Sequence, residues 1–325
     1  MGLTMKDGLY TIGEFASLLG VSKAVIYKWE KEGKIAKAQR MKRGKTMYRF
    51  YTTDDIREIR LKMNLQTPLI KKRKQLFLNF KGGTGKSVIS ANYGYRLAQH
   101  GFKVLMVDLD AQGHLTKCLG VNPESYSKTL YDVIIHKDPI QSVITSSSLS
   151  TLDILPANLG LSPIELSLTS LHAREFKLSR ALQAIEDNYD VIVLDAPPNI
   201  GLLNLNAILS VDDLLVPVLA DFLSYDGLKI LFETLRDIED EFEYVLDNIH
   251  IFINRYNESM NISTRSRDAL RQNYNEFLCD TLIRQNTTLS DATAQGKSIF
   301  EYAPTSRAAS DINKLVNEIF NLKAI

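Results

Sequence analysis

The sequence predicts an α/β fold, in which a mostly parallel sheet is flanked by helices, and a small helix-turn-helix domain in front of it. The first observation is a short apolar run at 76–80, followed by a glycine-rich loop and a helical run at 88–99. The second is a pair of continuous apolar runs, 103–110 and 190–195, that end in aspartates. Continuous apolar strands are typical of parallel sheets that are covered on both faces. The third is a basic N-terminal segment with helical periodicity.

Length and composition allow one large and one small domain. The chain has 325 residues, of which 45% are hydrophobic. Its two cysteines, Cys118 and Cys279, are far apart and form no C-x-x-C pair, which disfavours a disulfide framework or a zinc ribbon. No apolar run reaches the roughly 18 residues of a spanning helix, and the first residues lack a signal-peptide core. We therefore expect a cytoplasmic protein.

The net charge of +1 conceals a strong asymmetry. Residues 1–74 hold 18 basic and 7 acidic side chains, whereas the rest of the chain holds 21 and 31. A basic module fused to an acidic one suggests that the first module contacts a polyanion. We divide the chain into a DNA-binding domain at 1–66, a basic linker at 67–75 and the α/β domain at 76–325. The basic run at 71–74 is expected either to be solvated or to contact DNA.

The N-terminal domain has the pattern of a winged helix-turn-helix. Residues 1–9 are expected to be loose. Helices are predicted at 11–19 and 23–31, with Gly20 ending the first and Ser22 capping the second. A basic hairpin follows at 37–49, and Thr53 is expected to cap a third helix.

This order of elements resembles the MerR-type winged helix, which implies duplex DNA as a partner, with the second helix in the major groove and the wing on the backbone. The alternative is a helical hairpin with solvated lysines. The side chains expected to contact DNA are Ser22, Lys23, Tyr27, Lys28, Arg40, Lys42, Arg43 and Lys45.

The glycine-rich loop carries the strongest signal for a ligand. Such a loop turns successive backbone N–H groups inward at a helix N-terminus, and both features favour a bound polyphosphate. Lys86 can reach the terminal phosphates, and the Ser87 hydroxyl can ligate Mg²⁺. A loop without a ligand is disfavoured, because the flanking strand and helix lie where this chemistry needs them. The residues expected to hold the nucleotide are Gly82, Gly83, Thr84, Gly85, Lys86, Ser87 and Val88.

Aspartates end two of the predicted strands. Asp108 and Asp110 end the run at 103–110, and Asp195 ends the run at 190–195. Ligands of such sheets bind at the carboxyl ends of the strands, so these side chains are predicted to lie beside the phosphates. Phosphoryl transfer to water needs charge neutralisation and an oriented nucleophile, and Asp195 suits magnesium coordination through water. The alternatives are a capping or ion-pairing role for Asp108 and an ordinary strand end for Asp195.

These segments together resemble the ParA/MinD ATPases. Lys-Gly-Gly-x-Gly-Lys-Ser at 81–87 resembles their deviant Walker A box, in which Phe80 stands where the standard P-loop has glycine and Lys81 opens the loop. Residues 108–113 resemble the Walker A′ box, with Ala111 in place of the usual proline. Residues 195–206 resemble the Walker B segment with its Pro-Pro tail.

The resemblance implies a P-loop NTPase fold, an ATPase activity with ATP/ADP and Mg²⁺ as cofactors, and a homodimer that encloses the nucleotide. It implies that Lys81 crosses to the partner's nucleotide and that Asp110 directs the attacking water. It further implies that Asp108 supports the magnesium shell and that Asn254 lies on the adenine side.

The remaining segments are predicted from their periodicity. We expect helices at 163–187 and 228–239, helical patches at 130–135 and 140–143, and strands at 152–156, 214–220 and 249–255. The amphipathic C-terminal helix at 306–322 has too few positive charges for an anionic membrane and is expected to pack in the core. In ParA relatives, basic residues after the strand that corresponds to 249–255 bind DNA without sequence preference. The alternative for these residues here is a solvated face of a helix. Those residues are Arg265, Arg267 and Arg271, with Arg284 nearby.

The combined resemblance is to plasmid-partition ParA proteins that carry their own N-terminal DNA-binding domain (SopA-like). It implies nucleoid association, a ParB-like centromere-binding partner that stimulates hydrolysis, and operator binding with autorepression. One alternative is a nucleotide-gated transcriptional regulator without a segregation role. A MinD-like membrane positioner is a further alternative, which the basic N-terminus disfavours, and no membrane partner is expected.

Overall fold

The computed structural model confirms the α/β fold and describes residues 8–43, 46–63, 65, 72–221 and 223–322. Within these residues, an eight-stranded sheet with helices on both faces forms the large domain, and a three-stranded sheet with three helices forms the N-terminal domain. Two apolar clusters cover the two faces of the large sheet, and a third forms the core of the N-terminal domain.

The N-terminal domain has the predicted order of helix, turn, helix, wing and helix. Strand β1 pairs antiparallel with β3, and β3 pairs antiparallel with β2 to form the wing. The elements are β1 Leu9–Tyr10, α1 Ile12–Leu19, α2 Lys23–Lys31, β2 Gln39–Arg43, β3 Thr46–Thr52 and α3 Thr53–Lys62. Leu9 therefore belongs to a strand rather than to a loose end, whereas residues 1–7 and the predicted contact Lys45 lie outside the described residues.

Local caps and one buried carboxylate define this domain. Gly20 ends α1 with a φ of 77°, a conformation that glycine adopts at little cost. Thr52, and not the predicted Thr53, caps α3, since the Thr52 hydroxyl accepts from Asp55 N while Thr53 is buried. Glu30 on α2 accepts hydrogen bonds from the Tyr51 hydroxyl and the Ala38 N–H, both at 2.7 Å. This carboxylate ties α2 to the wing.

The large domain is a doubly wound sheet. Its strand order is β11-β10-β9-β4-β8-β5-β7-β6, and only β6 is antiparallel to its neighbour among the described pairings. The strands are β4 Arg73–Phe77, β5 Val104–Asp108, β6 Thr145–Ser146, β7 Leu152–Leu155, β8 Val191–Asp195, β9 Asp213–Leu219, β10 Asn248–Tyr256 and β11 Leu278–Arg284. The helices are α4 Lys86–Gln99, α5 His114–Cys118, α6 Ile164–Thr169, α7 Lys177–Gln183, α8 Leu202–Ile208, α9 Leu223–Phe242, α10 Asn261–Tyr274, α11 Thr287–Ala294, α12 Ile299–Tyr302 and α13 Arg307–Ile319.

The register of the central strands brings the predicted site together. Phe77 at the end of β4 lies opposite Asp195 at the end of β8, and Asp195 lies opposite Asp108 at the end of β5. The glycine-rich loop follows β4, so the loop and both carboxylates share one edge of the sheet.

Two residues of the basic run that is expected in the linker, Arg73 and Lys74, belong to the sheet instead. The first strand of the sheet begins at Arg73 and ends at Phe77, rather than spanning 76–80. Arg73 forms ion pairs with Asp213 and Asp247, and Lys74 pairs with Glu186 at 2.7 Å. Lys72 also has an ion pair, with Asp187. Arg73 and Lys74 are therefore paired within the fold and are not simply solvated, whereas the Lys72 pair lies on the surface.

The single helix predicted at 163–187 is wrong. The segment forms α6, a 3₁₀ turn at Arg174–Phe176, α7 and a second 3₁₀ turn. Ala173 has a φ of 47° between them, which a continuous helix cannot accommodate. Asn206 holds the break in place, because its side chain donates to Arg174 O at 2.8 Å and accepts from Leu178 N. The predicted patch at 130–135 is a short π-helical turn, Asp132–His136, and the one at 140–143 is a 3₁₀ turn, Ile140–Ser142.

The C-terminal helix α13 packs in the core, as predicted. Ile312, Leu315 and Val316 are fully buried in the cluster on the α4 face of the sheet. Among the described residues, no helix is long and apolar enough to cross a membrane.

Candidate functional site

The glycine-rich loop connects β4 to α4 and is shaped by glycines with left-handed backbone angles. Gly83 and Gly85 have φ values of 74° and 86°, and Gly85 directly precedes the first residue of α4. A methyl group on Gly85 would overlap Asn254 Nδ2, so the position needs glycine for space as well as for conformation. The first N–H groups of α4 therefore open towards the loop without a side-chain cap.

Two buried asparagines brace the loop. Asn79 donates to Pro217 O at 2.8 Å and accepts from Lys81 N at 2.8 Å. Asn254, at the end of β10, donates to Thr84 O at 2.7 Å and accepts from Arg255 N. Asn254 is thus buried against the loop, and its expected place on the adenine side stays a prediction.

Lys86 lies inside the loop. Its ammonium group donates to Asn79 O at 3.1 Å, and the residue is buried. Burial lowers the pKa of Lys86, and the charges of Asp195 and Asp110 oppose this shift. A partly desolvated ammonium forms stronger charge-assisted hydrogen bonds than a solvated one, so Lys86 is suited to bind a phosphate.

Asp195 has the environment of a metal-binding carboxylate. Its Oδ1 accepts from the Ser90 hydroxyl at 3.2 Å, and its buried Oδ2 has no hydrogen-bond partner among the described residues. Burial, with the nearby charge of Asp108, raises the pKa of Asp195 to about 8, although hydrogen bonding to Ser87 and the charge of Lys86 act in the opposite direction. A divalent cation would satisfy the open oxygen and favour the ionised form, so Asp195 and Ser87 fit a magnesium ion.

The Asp108 carboxylate accepts hydrogen bonds from neighbouring backbone groups and from one hydroxyl group. One carboxylate oxygen accepts from the Thr116 N–H and hydroxyl at 2.9 and 2.7 Å, and the other accepts from Asp110 N at 3.1 Å. Burial raises the pKa of Asp108 to about 6 against these hydrogen bonds. The structure therefore favours the capping alternative, in which Asp108 holds the segment that carries Asp110.

Asp110 lines a cavity of about 930 Å³ beside the loop. Its Oδ1 accepts from Gln112 N at 2.9 Å, and its backbone is fixed by Asp108. The cavity is large enough for a nucleotide. Residues from the loop, from 110–123 and from 293–296 line it, among them Gly83, Gly85, Lys86, Ser87, Val88, Asp110 and Arg255.

Lys81 points to a partner within its own chain. Its ammonium group lies 3.0 and 3.1 Å from the two carboxylate oxygens of Asp221, which follows β9. A role on the nucleotide of another subunit requires this ion pair to open.

Several side chains that contact the nucleotide site were not predicted from the sequence. Asn79, Ser90, Thr116 and Asp221 reach the site through contacts that span up to 140 residues. Asn79 and Asp221 had a local signal, because Asn79 lies just before the loop and Asp221 directly follows the strand predicted at 214–220. Arg255 lines the cavity and has a φ of 54°, a rare conformation for a side chain of this size.

The predicted DNA contacts fall on two surfaces. On the N-terminal domain, the exposed residues are Ser22, Lys23, Tyr27, Lys28, Arg40 and Lys42, and the backbone of Arg43 ends β2. On α10, Arg265 is exposed and Arg267 half-buried, whereas Arg271 pairs with Asp280 at 3.1 Å. Arg284 pairs with the buried Asp311, so it does not join a free basic cluster.

Comparisons with known proteins agree with this geometry. Residues 73–251, more than half of the chain, match a family model described as an AAA domain. Residues 10–67 match the MerR HTH family of regulatory proteins.

Relatives match over most of their own length. The chain is 48% identical over 269 residues to the cell division protein PomZ of Myxococcus xanthus, covering 83% of this chain and 84% of PomZ. It is 32% identical over 241 residues to the sporulation initiation inhibitor protein Soj of Bacillus subtilis, covering 74% and 95%.

A solved structure shares the fold. The cobyrinic acid a,c-diamide synthase of Mycobacterium smegmatis, with bound ADP and magnesium, superposes with a TM-score of 0.67 at 24% identity, covering 77% of this chain and 94% of that one. From the matched domain, these relatives and the loop geometry, we conclude that the chain belongs to the ParA/MinD-type family of P-loop ATPases and carries a MerR-like helix-turn-helix domain.

Proposed function

We propose that this ATPase positions or partitions DNA as an ATP-bound homodimer that binds DNA without sequence preference. The observation that carries the proposal is the cavity at the carboxyl ends of β4, β5 and β8, which Lys86, Ser87 and Asp110 line and beside which Asp195 is buried. This arrangement supplies each element that phosphoryl transfer to water requires.

Each site residue has a separate task in this proposal. The loop N–H groups and Lys86 hold the phosphates, while Ser87 and Asp195 hold Mg²⁺. When bound, the magnesium ion neutralises phosphate charge. Asp110 orients the attacking water in the cavity. Lys81 leaves Asp221 and reaches the nucleotide of the second subunit.

Two substitutions test these roles. Lys86→Ala is expected to abolish binding of a fluorescent ATP analogue, because it removes the ammonium group from the loop. Asp110→Ala is expected to keep binding and lose turnover by at least 100-fold. Asp240→Ala, on the exposed face of α9, is the control for loss of a carboxylate. Unchanged hydrolysis in Asp110→Ala removes its catalytic assignment.

The DNA and protein partners belong to the same proposal. Arg265 and Arg267 on α10 are the nonspecific DNA contacts of the ATP-bound dimer on the nucleoid, and a ParB-like centromere-binding protein stimulates hydrolysis. The N-terminal domain binds the operator and represses its own operon, as in SopA-like plasmid partition. Footprinting upstream of the gene with ADP and with ATP tests this, and protection that ADP favours supports autorepression.

A second candidate function is positioning of the cell division site. It is favoured because the relative with 48% identity is named a cell division protein, whereas the Soj relative is 32% identical. Deletion of the gene separates the two candidates. Loss of a plasmid or of chromosome segregation supports partition, and misplaced septa with normal DNA inheritance support positioning.

The remaining alternatives make different predictions. A nucleotide-gated transcriptional regulator would show operator binding without turnover that DNA and a centromere-binding protein stimulate. A membrane-positioning ATPase would co-sediment with anionic liposomes, and the packing of α13 in the core argues against an anchor there.

A further inference from the structure

A second cavity, of about 520 Å³, lies where the N-terminal domain meets the ATPase domain. The end of α4 opposite the P-loop forms its floor, with Arg96 and Gln99. Tyr10 of β1 contributes from the N-terminal domain, and Phe300 and Asn313 contribute from the C-terminal helices. A 14-residue helix is roughly 20 Å long, so this cavity is well separated from the nucleotide site.

Arg96 is held rigidly in this cavity by neutral groups. Its Nε donates to Asn313 Oδ1 at 2.7 Å, and its Nη1 donates to Gln99 Oε1 at 3.0 Å. The guanidinium carbon lies 5.0 Å from the centre of the Phe300 ring. No acceptor for Nη2 is found in the described part of the chain. The side chain is thus preorganised, with one donor edge left for another molecule.

Within the described residues, no carboxylate forms an ion pair with Arg96. Burial lowers the pKa of Arg96 to about 10. The buried Arg60 adds a second positive charge nearby and donates to Leu18 O and to His100 Nδ1. A partly buried cation without a counter-ion is costly, and a bound anion would offset that cost.

Two acidic residues at the cavity, Glu14 and Glu301, have other tasks. Glu14 accepts from Thr11 N at 2.8 Å and Glu301 accepts from Ser298 N at 2.7 Å, each in a capping box. The hydrogen-bond acceptors of Arg96 among the described residues are Asn313 and Gln99, and not these two carboxylates. They leave the donor edge of Arg96 open to an anion from outside.

We propose that this interdomain cavity is a binding site for a small anionic ligand, whose carboxylate or phosphate oxygens accept hydrogen bonds from Arg96. The first turn of α13 also lines the cavity and adds the positive end of a 13-residue helix. The volume suits a metabolite rather than a macromolecule. Because its walls come from both domains, a ligand here stabilises the docked arrangement of the DNA-binding domain on the ATPase.

The test uses the full chain saturated with ADP and Mg²⁺, so that the P-loop does not bind the probe. Sodium phosphate and sodium succinate are titrated against sodium chloride at equal ionic strength, with thermal unfolding and calorimetry as readouts. Arg96→Gln is compared with Arg236→Gln, which removes the same charge from the exposed face of α9. At least one probe is expected to bind the wild type and Arg236→Gln with similar affinity. The same probe should bind Arg96→Gln roughly tenfold more weakly.

The outcomes distinguish the source of the anion. Binding of phosphate alone identifies a phosphoryl ligand, and binding of succinate alone identifies a carboxylate ligand. The absence of binding of both probes to the wild type, or equal binding to Arg96→Gln, overturns the proposal.

If Arg96→Gln does not fold, a second variant tests the proposed anion site. Ser310 lines the cavity one turn before Asn313 on α13, so Ser310→Glu places a permanent carboxylate near Arg96. This variant is expected to unfold at a higher temperature in chloride and to lose its response to both probes. A response equal to that of the wild type contradicts the proposed site.

Discussion

Asp195→Asn should stabilise the magnesium-free protein while removing its response to magnesium. Asp195 is fully buried and its pKa is about 8, against an ordinary value of 3.8. Because the folded state holds the proton more tightly than the unfolded state, this group lowers stability progressively as the pH rises from 3.8 to 8. At 1.36 kcal/mol per pKa unit, the cost is about 4 kcal/mol at pH 7 and about 2 kcal/mol at pH 5. Asparagine avoids this cost and can still accept from Ser90.

Thermal unfolding in EDTA measures the effect. Asp195→Asn is expected to unfold several degrees higher than the wild type at pH 7, with a smaller difference at pH 5. Addition of ADP and Mg²⁺ should stabilise the wild type much more than the variant. Asp311→Asn is the matched control, since it removes a buried carboxylate that is paired with Arg284 and should destabilise the protein. A destabilised Asp195→Asn with no dependence on pH would refute the reasoning.

Three other substitutions test single contacts. Asp221→Asn removes the ion pair that holds Lys81, worth up to about 1 kcal/mol at a partly buried site. Because both subunits of the dimer open this pair, ATP-dependent dimerisation in analytical ultracentrifugation should strengthen by up to roughly 30-fold. An unchanged dimer constant shows that opening this pair costs nothing. Gly85→Ala drives a methyl group into Asn254 and strains the backbone, so the nucleotide affinity measured by calorimetry should fall at least tenfold. An affinity equal to that of the wild type would mean that the loop can shift to accept the methyl group. Burial tends to raise the pKa of Glu30, but the hydrogen bonds from the wing lower it below its ordinary value of 4.5. Its contribution to the free energy of unfolding is therefore fully present above pH 4.5 and is lost as the pH falls through the pKa of the folded state. Glu30→Gln should cost about 2 kcal/mol at pH 7 and weaken binding to duplex DNA, and full stability in circular dichroism would count against this link between α2 and the wing.

The part of the site that could be predicted consists of neighbours along the chain. Lys86 and Ser87 follow the glycines directly, and the strand and helix on either side are encoded by local apolar patterns. Asp195 could be assigned because a buried parallel strand ends at it, and the carboxyl ends of such strands form the site. The N-terminal domain was predicted on the same basis, from caps and periodicities within about ten residues.

The long-range contacts could not be predicted in this way. Asp221 meets Lys81 across 140 residues, and Asn254 meets Thr84 across 170. Asparagine and aspartate side chains have the same local appearance whether they brace a loop or face water, so only their neighbours in space distinguish these roles.

Sequence periodicity also failed where a distant side chain changed the backbone. The apolar spacing of 163–187 fits one helix, but the carboxamide of Asn206 satisfies backbone groups at Arg174 and Leu178 and stabilises a break. Similarly, the charges of Arg73 and Lys74 indicated a linker that is solvated or contacts DNA, whereas in the structure they pair with Asp213 of β9 and with Glu186 of a 3₁₀ turn. Residues close in sequence thus determined the nucleotide loop and its strand ends, whereas the bracing of that loop, the partner of Lys81 and the interdomain cavity arose from packing. The physical reason is that hydrogen bonds and ion pairs depend on distance in space, which a linear pattern records only for near neighbours.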